Sequence, residues 1–252
     1  FADEGETSNN DIDDNNSLSI EEIIVTAEKR SESLQDVSKS VTALSADELE
    51  AKNIIDFVGL SAITPGLTVA KNEGYKTVIS IRGVGDETNQ NAIAAPSVAL
   101  HMDGIFVASK FALRTDFIDI ERVEVLRGPQ GTLFGRNSTA GAMQFISAGP
   151  GQELEGYARL TQGNFGKTRI AAAVGGPVND RLGVRVSGVW EQEDGMVKNV
   201  PDKGNAGWTD YSAMRLVADF QATDDFDVRF KAQFGKSDGS PLNFHNTLTP
   251  HP

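Results

Sequence analysis

Residues 226–234 read Phe-Asp-Val-Arg-Phe-Lys-Ala-Gln-Phe, and this run decides the fold. Side chains alternate across an extended chain. Phe226, Val228, Phe230, Ala232 and Phe234 therefore share one face, and Asp227, Arg229, Lys231 and Gln233 share the other. The same division recurs upstream. Leu182, Val184, Val186, Gly188 and Trp190 oppose Arg185 and Ser187, and Met214, Leu216, Ala218 and Phe220 oppose Arg215 and Asp219. Thr168, Ile170, Ala172 and Val174 make a weaker fourth case, and residues 154–160 a fifth. Strands of about 9 to 13 residues exceed the five or six usual in soluble sheets. They match the length that crosses a bilayer when tilted.

The connections have a matching asymmetry. Residues 175–180 and 222–225 read as tight turns, whereas residues 193–209 form a long polar stretch. Short turns on one side and long loops on the other suit an outer-membrane barrel. Residues 163–166 are an exception, a short link where a long one is allowed. A soluble β-sandwich also alternates, but strand length and aromatic residues near strand ends favour the membrane. Val184, Val186, Leu216, Phe230 and Ala232 are then expected to face lipid, with Arg185, Arg215, Arg229 and Lys231 facing inward.

Composition narrows the function. The 252 residues are 39% hydrophobic with 25 glycines, which suits turn-rich β structure. No apolar run is long enough for a membrane helix. Cysteine is absent, which excludes disulfides and Cys-ligated zinc. Net charge is −13, and residues 1–22 hold acids but no base, an expected solvated tether. Without a basic patch, nucleic acid is not an expected partner. His101, His245 and His251 are scattered, and no HExxH or GxSxG motif occurs. Catalysis is not expected, and no cofactor or metal site is. A chain that starts at Phe1 rather than Met is expected to have lost a leader.

Residues 31–150 mix short elements. Residues 36–44 read as a strand, and Ser45-Ala46-Asp47-Glu48 as a capping box that starts a helix through Ala51. Residues 54–62 read as helical, stopped by Thr64-Pro65-Gly66. Strands are expected over 67–69 and 77–82 around a loop at 71–75, and over 97–102 and 105–107 around the Asp103-Gly104 turn. Residues 120–127 read as a further strand. The glycines 128, 131, 135 and 141 do not make a phosphate loop, because Arg136-Asn137 stands where Lys-Ser/Thr is required.

Ahead of this region, residues 20–27 read Ile-Glu-Glu-Ile-Ile-Val-Thr-Ala. The β-branched run 23–26 favours an extended backbone. No turn or hairpin partner is legible beside it. A lone strand on an acidic tether is suited to completing another protein's sheet by β-augmentation. An edge strand of the following domain is the alternative.

Four segments in order then carry a resemblance. Residues 22–27 resemble a TonB box. Ile79-Ser80-Ile81-Arg82-Gly83-Val84-Gly85 resembles the IRG strand of a plug, and residues 98–105 resemble its DG hairpin. Residues 120–142, Ile-Glu-Arg-Val-Glu-Val-Leu-Arg-Gly-Pro-Gln-Gly-Thr-Leu-Phe-Gly-Arg-Asn-Ser-Thr-Ala-Gly-Ala, resemble the plug signature that precedes the barrel. The chain is similar to the N-terminal part of a TonB-dependent outer-membrane receptor. The resemblance implies an α+β plug domain followed by antiparallel β-strands of an incomplete transmembrane β-barrel. It implies an acidic leader at 1–19, a TonB-box segment at 20–30, a plug at 31–150 and about five barrel strands at 151–252. Five strands cannot close in lipid, so further strands are expected elsewhere.

Function follows from the resemblance as TonB-dependent uptake of a scarce ligand of siderophore, vitamin or oligosaccharide class across the bacterial outer membrane. The implied partners are the TonB C-terminal domain, with its inner-membrane energising complex, a small-molecule ligand and outer-membrane lipid. The implied TonB contacts are Glu22, Ile23, Ile24, Val25, Thr26 and Ala27. Ligand contacts are expected on three apices: Asn72, Glu73 and Tyr75; Thr88, Asn89, Gln90 and Asn91; and Ser109, Lys110 and Phe111. Arg82 and Arg127 are expected to latch the plug to barrel carboxylates, with Glu121 and Glu124 as local alternatives. A periplasmic or signalling protein with a plug-like domain is the rival.

Overall fold

The computed structural model describes residues 24–26, 32–33, 35, 39–72, 76–85, 96–108, 117–195, 197–198 and 205–240. In chain order the elements are β1 (Ile24–Val25), β2 (Glu32–Ser33), β3 (Val41–Ser45), α1 (Ala46–Ala51), α2 (Phe57–Ile63), β4 (Leu67–Asn72), β5 (Lys76–Ile81), β6 (Val84–Gly85), β7 (Val98–Met102), β8 (Ile105–Phe106), β9 (Ile120–Arg127), α3 (Gly131–Phe134) and β10 (Gly141–Ser147). Then come β11 (Glu155–Gln162), β12 (Thr168–Asn179), β13 (Leu182–Glu193), β14 (Val197–Lys198), β15 (Asn205–Ala206), β16 (Thr209–Thr223) and β17 (Phe226–Gly239).

The N-terminal domain is built on a five-stranded sheet in the order β3-β9-β10-β7-β8, with β10 and β7 parallel. Alternation gives this sheet two different faces. On one lies the main core, where Leu44, Val123, Val125, Met143 and Phe145 pack with Leu49, Phe57 and Leu60 of the helices and with Val69, Ile79 and Ile81 of the β4–β5 hairpin. Phe57, Phe117 and Phe145 form an aromatic trio there, with ring centroids 4.9–5.3 Å apart. On the other face the small residues Ala43, Ala99 and Ala142 make a shallow hollow beside Leu126 and Phe134, and Val25 fills it.

Local signals set the helix starts. Ser45 and Glu48 form the expected capping box. Asp56 begins α2 later than residue 54, because its carboxylate accepts the Gly59 N–H at 2.9 Å. Of the strand expected over 36–44, β3 begins at Val41, Lys39 and Ser40 are not in it, and residues 36–38 lie outside the described set. Asp103 and Gly104 sit at φ 50° and 80°, which lets a two-residue turn join β7 to β8.

The second region is one antiparallel sheet, β11-β12-β13-β16-β17, paired over long strands with register shifts near the ends of β12 and β16. Residues 175–178 are not a turn. Strand β12 runs through them to Asn179, with a register shift at Pro177, which cannot donate to the ladder. Gly175 serves clearance instead, since a Cβ there would meet Arg185 Cγ at 2.7 Å. Along β12, β13 and β16 the expected alternation holds, whereas β17 at the sheet's edge is largely exposed on both faces, the expected inward Arg229 included. Ile170, Val186, Trp190, Met214, Leu216 and Phe230 are exposed, while Arg169, Arg185, Val189, Tyr211, Arg215 and Val217 are buried on the inner face. Among the described residues no helix is long and apolar enough to cross a membrane. The strands present the continuous apolar face.

Candidate functional site

Two constellations concentrate the charged and buried polar contacts: the docked segment 24–26, and the contact between the small domain and the wall.

The segment is not without a partner. Ile24 pairs with Ser33 and Val25 with Glu32 in a two-residue antiparallel ladder. This corrects the expectation of an unpartnered strand. Glu32-Ser33 has low strand propensity, so no pattern announces it; pairing and the burial of Val25, which is 0% exposed, hold it. Next to it, Thr26 donates its N–H to Glu124 Oε1 at 2.8 Å and its hydroxyl to the same oxygen at 3.1 Å. The Thr26 carbonyl accepts from Gln144 Nε2 at 3.2 Å. Glu124 is 0% exposed. Its charge is met by Arg122 Nε at 2.9 Å, and Arg122 also pairs with Glu121. Glu22, Ile23 and Ala27 lie outside the described residues.

The small domain rests on the inner face of the wall through ion pairs and a small apolar contact. Asp119, at φ 47°, accepts two hydrogen bonds from Arg185, at 2.6 and 2.7 Å. The two side chains are 4% and 7% exposed. Arg185 also reaches Glu155 at 2.9 Å. Arg215 donates to the Ile118 carbonyl at 2.6 Å and is braced by Gln233. Ile118 packs against Val189, Tyr211 and Ala213 of the wall. Lys231 meets Asp103 at 2.5 Å, and Asp103 also accepts from the Ser147 N–H and hydroxyl at 2.8 and 2.6 Å. Burial pushes the Asp103 carboxyl up, but the hydrogen bonds from Lys231 and Ser147 outweigh it and hold it below the usual carboxylate range. On the α1 side the two parts stand apart around a cavity of about 390 Å³, which the Arg159–Glu50 pair bridges.

Arg82 and Arg127 come together at the Pro65-Gly66 turn, away from these contacts. Arg82 donates its N–H to the Gly66 carbonyl at 2.7 Å and reaches Ser40 Oγ at 3.4 Å. Arg127 reaches Thr42 Oγ1 at 2.6 Å and the Pro65 carbonyl at 3.4 Å. Among the described residues neither meets a carboxylate, and Glu121 and Glu124 pair with Arg122 instead. The wall contacts through Asp119 and Asp103 were not legible as such. Lys231 lies far along the chain from Asp103, and an Asp in a turn is common for structural reasons. The apex residues Glu73, Tyr75, Thr88, Asn89, Gln90, Asn91, Ser109, Lys110 and Phe111 lie outside the described set. Asn72 ends β4, and its side chain is not described.

A sheet domain is thus clasped to the polar inner face of a strand wall whose other face is apolar. Comparison with known proteins gives the likeness. Residues 33–142 match the TonB-dependent receptor plug domain. The chain is 32% identical over 165 residues to the pesticin receptor of Yersinia pestis, covering 64% of this chain and 24% of that protein. It is 28% identical to the vitamin B12 transporter BtuB of Vibrio vulnificus, covering 91% of this chain and 36% of the relative. Among solved structures, the ferric yersiniabactin uptake receptor FyuA from Yersinia pestis superposes with a TM-score of 0.73 at 26% identity, covering 81% of this chain and 32% of that one. The chain is thus similar to the N-terminal part of a TonB-dependent outer-membrane receptor, a plug domain followed by antiparallel strands without a closed barrel. It spans between a quarter and about a third of the length of these relatives.

Proposed function

We propose that this chain serves TonB-dependent active uptake of a scarce ligand across the bacterial outer membrane. The observation that carries it is the plug seated on the inward polar face of the wall, with the β-branched segment 24–26 docked on the plug. In this scheme ligand binds from outside, on the three apices at 72–75, 88–91 and 109–111 and on barrel loops. Residues 22–27 then pair with the TonB C-terminal domain by strand addition, and force from the inner-membrane energy source shifts the plug. Arg82 and Arg127 remain candidates for a latch to wall carboxylates. The domain limits are an acidic leader at 1–19, the coupling segment at 20–30, the plug at 31–150 and the first barrel strands at 151–252.

The relatives favour a ferric siderophore as the ligand class, with a vitamin second, because FyuA is a ferric yersiniabactin uptake receptor and BtuB a vitamin B12 transporter. An oligosaccharide has no such support. A non-transporting periplasmic or signalling protein is disfavoured, since the wall turns a continuous apolar face outward. The test is uptake by a deletion strain. Loss of labelled ferric-siderophore uptake, restored by the whole gene, supports the proposal. Unchanged uptake of every ferric chelate and of cobalamin would sink it.

A further inference from the structure

We propose that Glu124 and Gln144 act as a surrogate strand partner for Thr26, and so compete with TonB for the main chain of the coupling segment; this rests on the coupling role proposed above. Strand addition works by offering each backbone N–H an acceptor and each backbone C=O a donor. At Thr26 both are already supplied. The Glu124 carboxylate takes the N–H at 2.8 Å, and the Gln144 amide gives to the C=O at 3.2 Å. Those two side chains are cross-strand neighbours, since Gln144 stands opposite Glu124 in the β9–β10 register. Gln144 Nε2 also donates to Glu124 Oε2 at 3.2 Å, which fixes the pair as one unit.

The clamp is built rather than incidental. Glu124 is fully buried at the sheet surface, and Arg122 neutralises it from two residues away on the same face. Arg122 Nη2 further contacts Thr26 Oγ1 at 3.3 Å, so the hydroxyl sits between the carboxylate and the guanidinium. One row along, Val25 fills the hollow between Ala43, Ala99 and Ala142. Apolar burial at 25 sets the segment's position, and the polar row at 26 closes its main chain. Charge-assisted hydrogen bonds of this kind are the stronger class. TonB pairing at Thr26 then requires the clamp to open, which makes the release of Glu124 a step in coupling.

The experiment uses the whole receptor purified in detergent, with Glu124→Gln and Gln144→Leu. Glutamine keeps the shape at 124 and weakens the acceptor; leucine at 144 removes the donor. Arg122 keeps Glu121 as a partner in both. Each variant is assayed without ligand for capture of the purified periplasmic domain of TonB, and for maleimide labelling at Thr26→Cys. Ligand affinity at the outer face reports folding. The expected result is capture tightened about tenfold and faster labelling, with ligand affinity unchanged. If Glu124→Gln does not fold, Gln144→Leu alone carries the test. Unchanged capture and labelling in the folded variants would overturn the clamp. Val25→Pro separates the two ideas, because it removes a backbone donor from the pairing segment. Loss of capture in Val25→Pro with no change in the clamp variants ends the clamp only, whereas full capture in Val25→Pro ends the coupling role itself.

Discussion

Replacing Asp119 by Asn tests whether the plug is held by charge on the wall. Asp119 and Arg185 share two short hydrogen bonds, and both side chains are buried. Breaking a buried pair on one side costs about 3 to 5 kcal/mol, because the remaining charge is stranded. Two features lower that here. Glu155 still contacts Arg185, and an Asn amide oxygen still accepts one hydrogen bond. The expected loss is therefore about 2 kcal/mol of plug docking. Asn is chosen because Asp119 has a φ of 47°, a region that Asn tolerates. Asp119→Ala adds about 1 kcal/mol of backbone strain to the same electrostatic loss. The assay is plug unfolding in urea within the intact receptor in detergent, analysed by linear extrapolation and localised by hydrogen exchange at residues 117–120. Arg185→Met in the Asp119→Asn background should cost at least about 1 kcal/mol less than the sum of the single changes. A neutral Asp119→Asn, or strict additivity of the pair, would refute a charge-held plug.

Three further outcomes are expected. Asp103 has a lowered folded pKa, so its contribution is present above the ordinary value of about 3.9 and is lost as pH falls through the lower folded value. Plug docking should then be flat from neutral pH to about pH 5 and weaken in strong acid, and Lys231→Met should remove much of that acid-side change in urea titrations. Gly175→Val places a side chain against Arg185 Cβ and Cγ at 2.8 and 2.7 Å, and should destabilise docking by about 1 to 3 kcal/mol through overpacking; an unchanged urea midpoint would contradict the clearance role. Leu216→Arg, at the middle of β16 on the outward face, should cost about 2 to 4 kcal/mol of membrane folding, whereas Ser212→Arg near the strand's end should cost less in the same vesicle-folding assay.

The legible parts of the fold are those written in local chemistry or strict period. Ser45 and Glu48 announced a helix start because a capping box is complete within four residues. Strands β13, β16 and β17 were readable because apolar and polar side chains alternate along them at every other residue. Glu32-Ser33 was invisible, since two polar residues held by tertiary pairing carry no period. Gly175-Gly176-Pro177 looked like turn chemistry, yet the glycine makes room for an arginine and the proline marks a register shift. At the candidate site, the segment 24–26 and the two plug arginines were visible as motifs. Their surroundings were not: Glu124 alternates with valines like any half-exposed strand residue, and nothing local says that it lies under Thr26. Partners 98 and 66 positions apart, as in Thr26–Glu124 and Arg185–Asp119, are fixed only by the fold.

The join between β10 and β11 sets a limit on how far the plug can travel. Residues 148–154 link Ser147 to Glu155, a leash of roughly 25 Å when drawn straight at about 3.5 Å per residue. Its plug end is knotted down as well, because Ser147 is bonded to Asp103, which Lys231 grips from the wall. At its other chain end the same domain holds residues 24–26 by a two-residue ladder, by the buried Val25 and by the Glu124–Gln144 row. A rearrangement that frees residues 24–26 would therefore not by itself free the β10 end, whose reach is bounded by the leash to the strand wall.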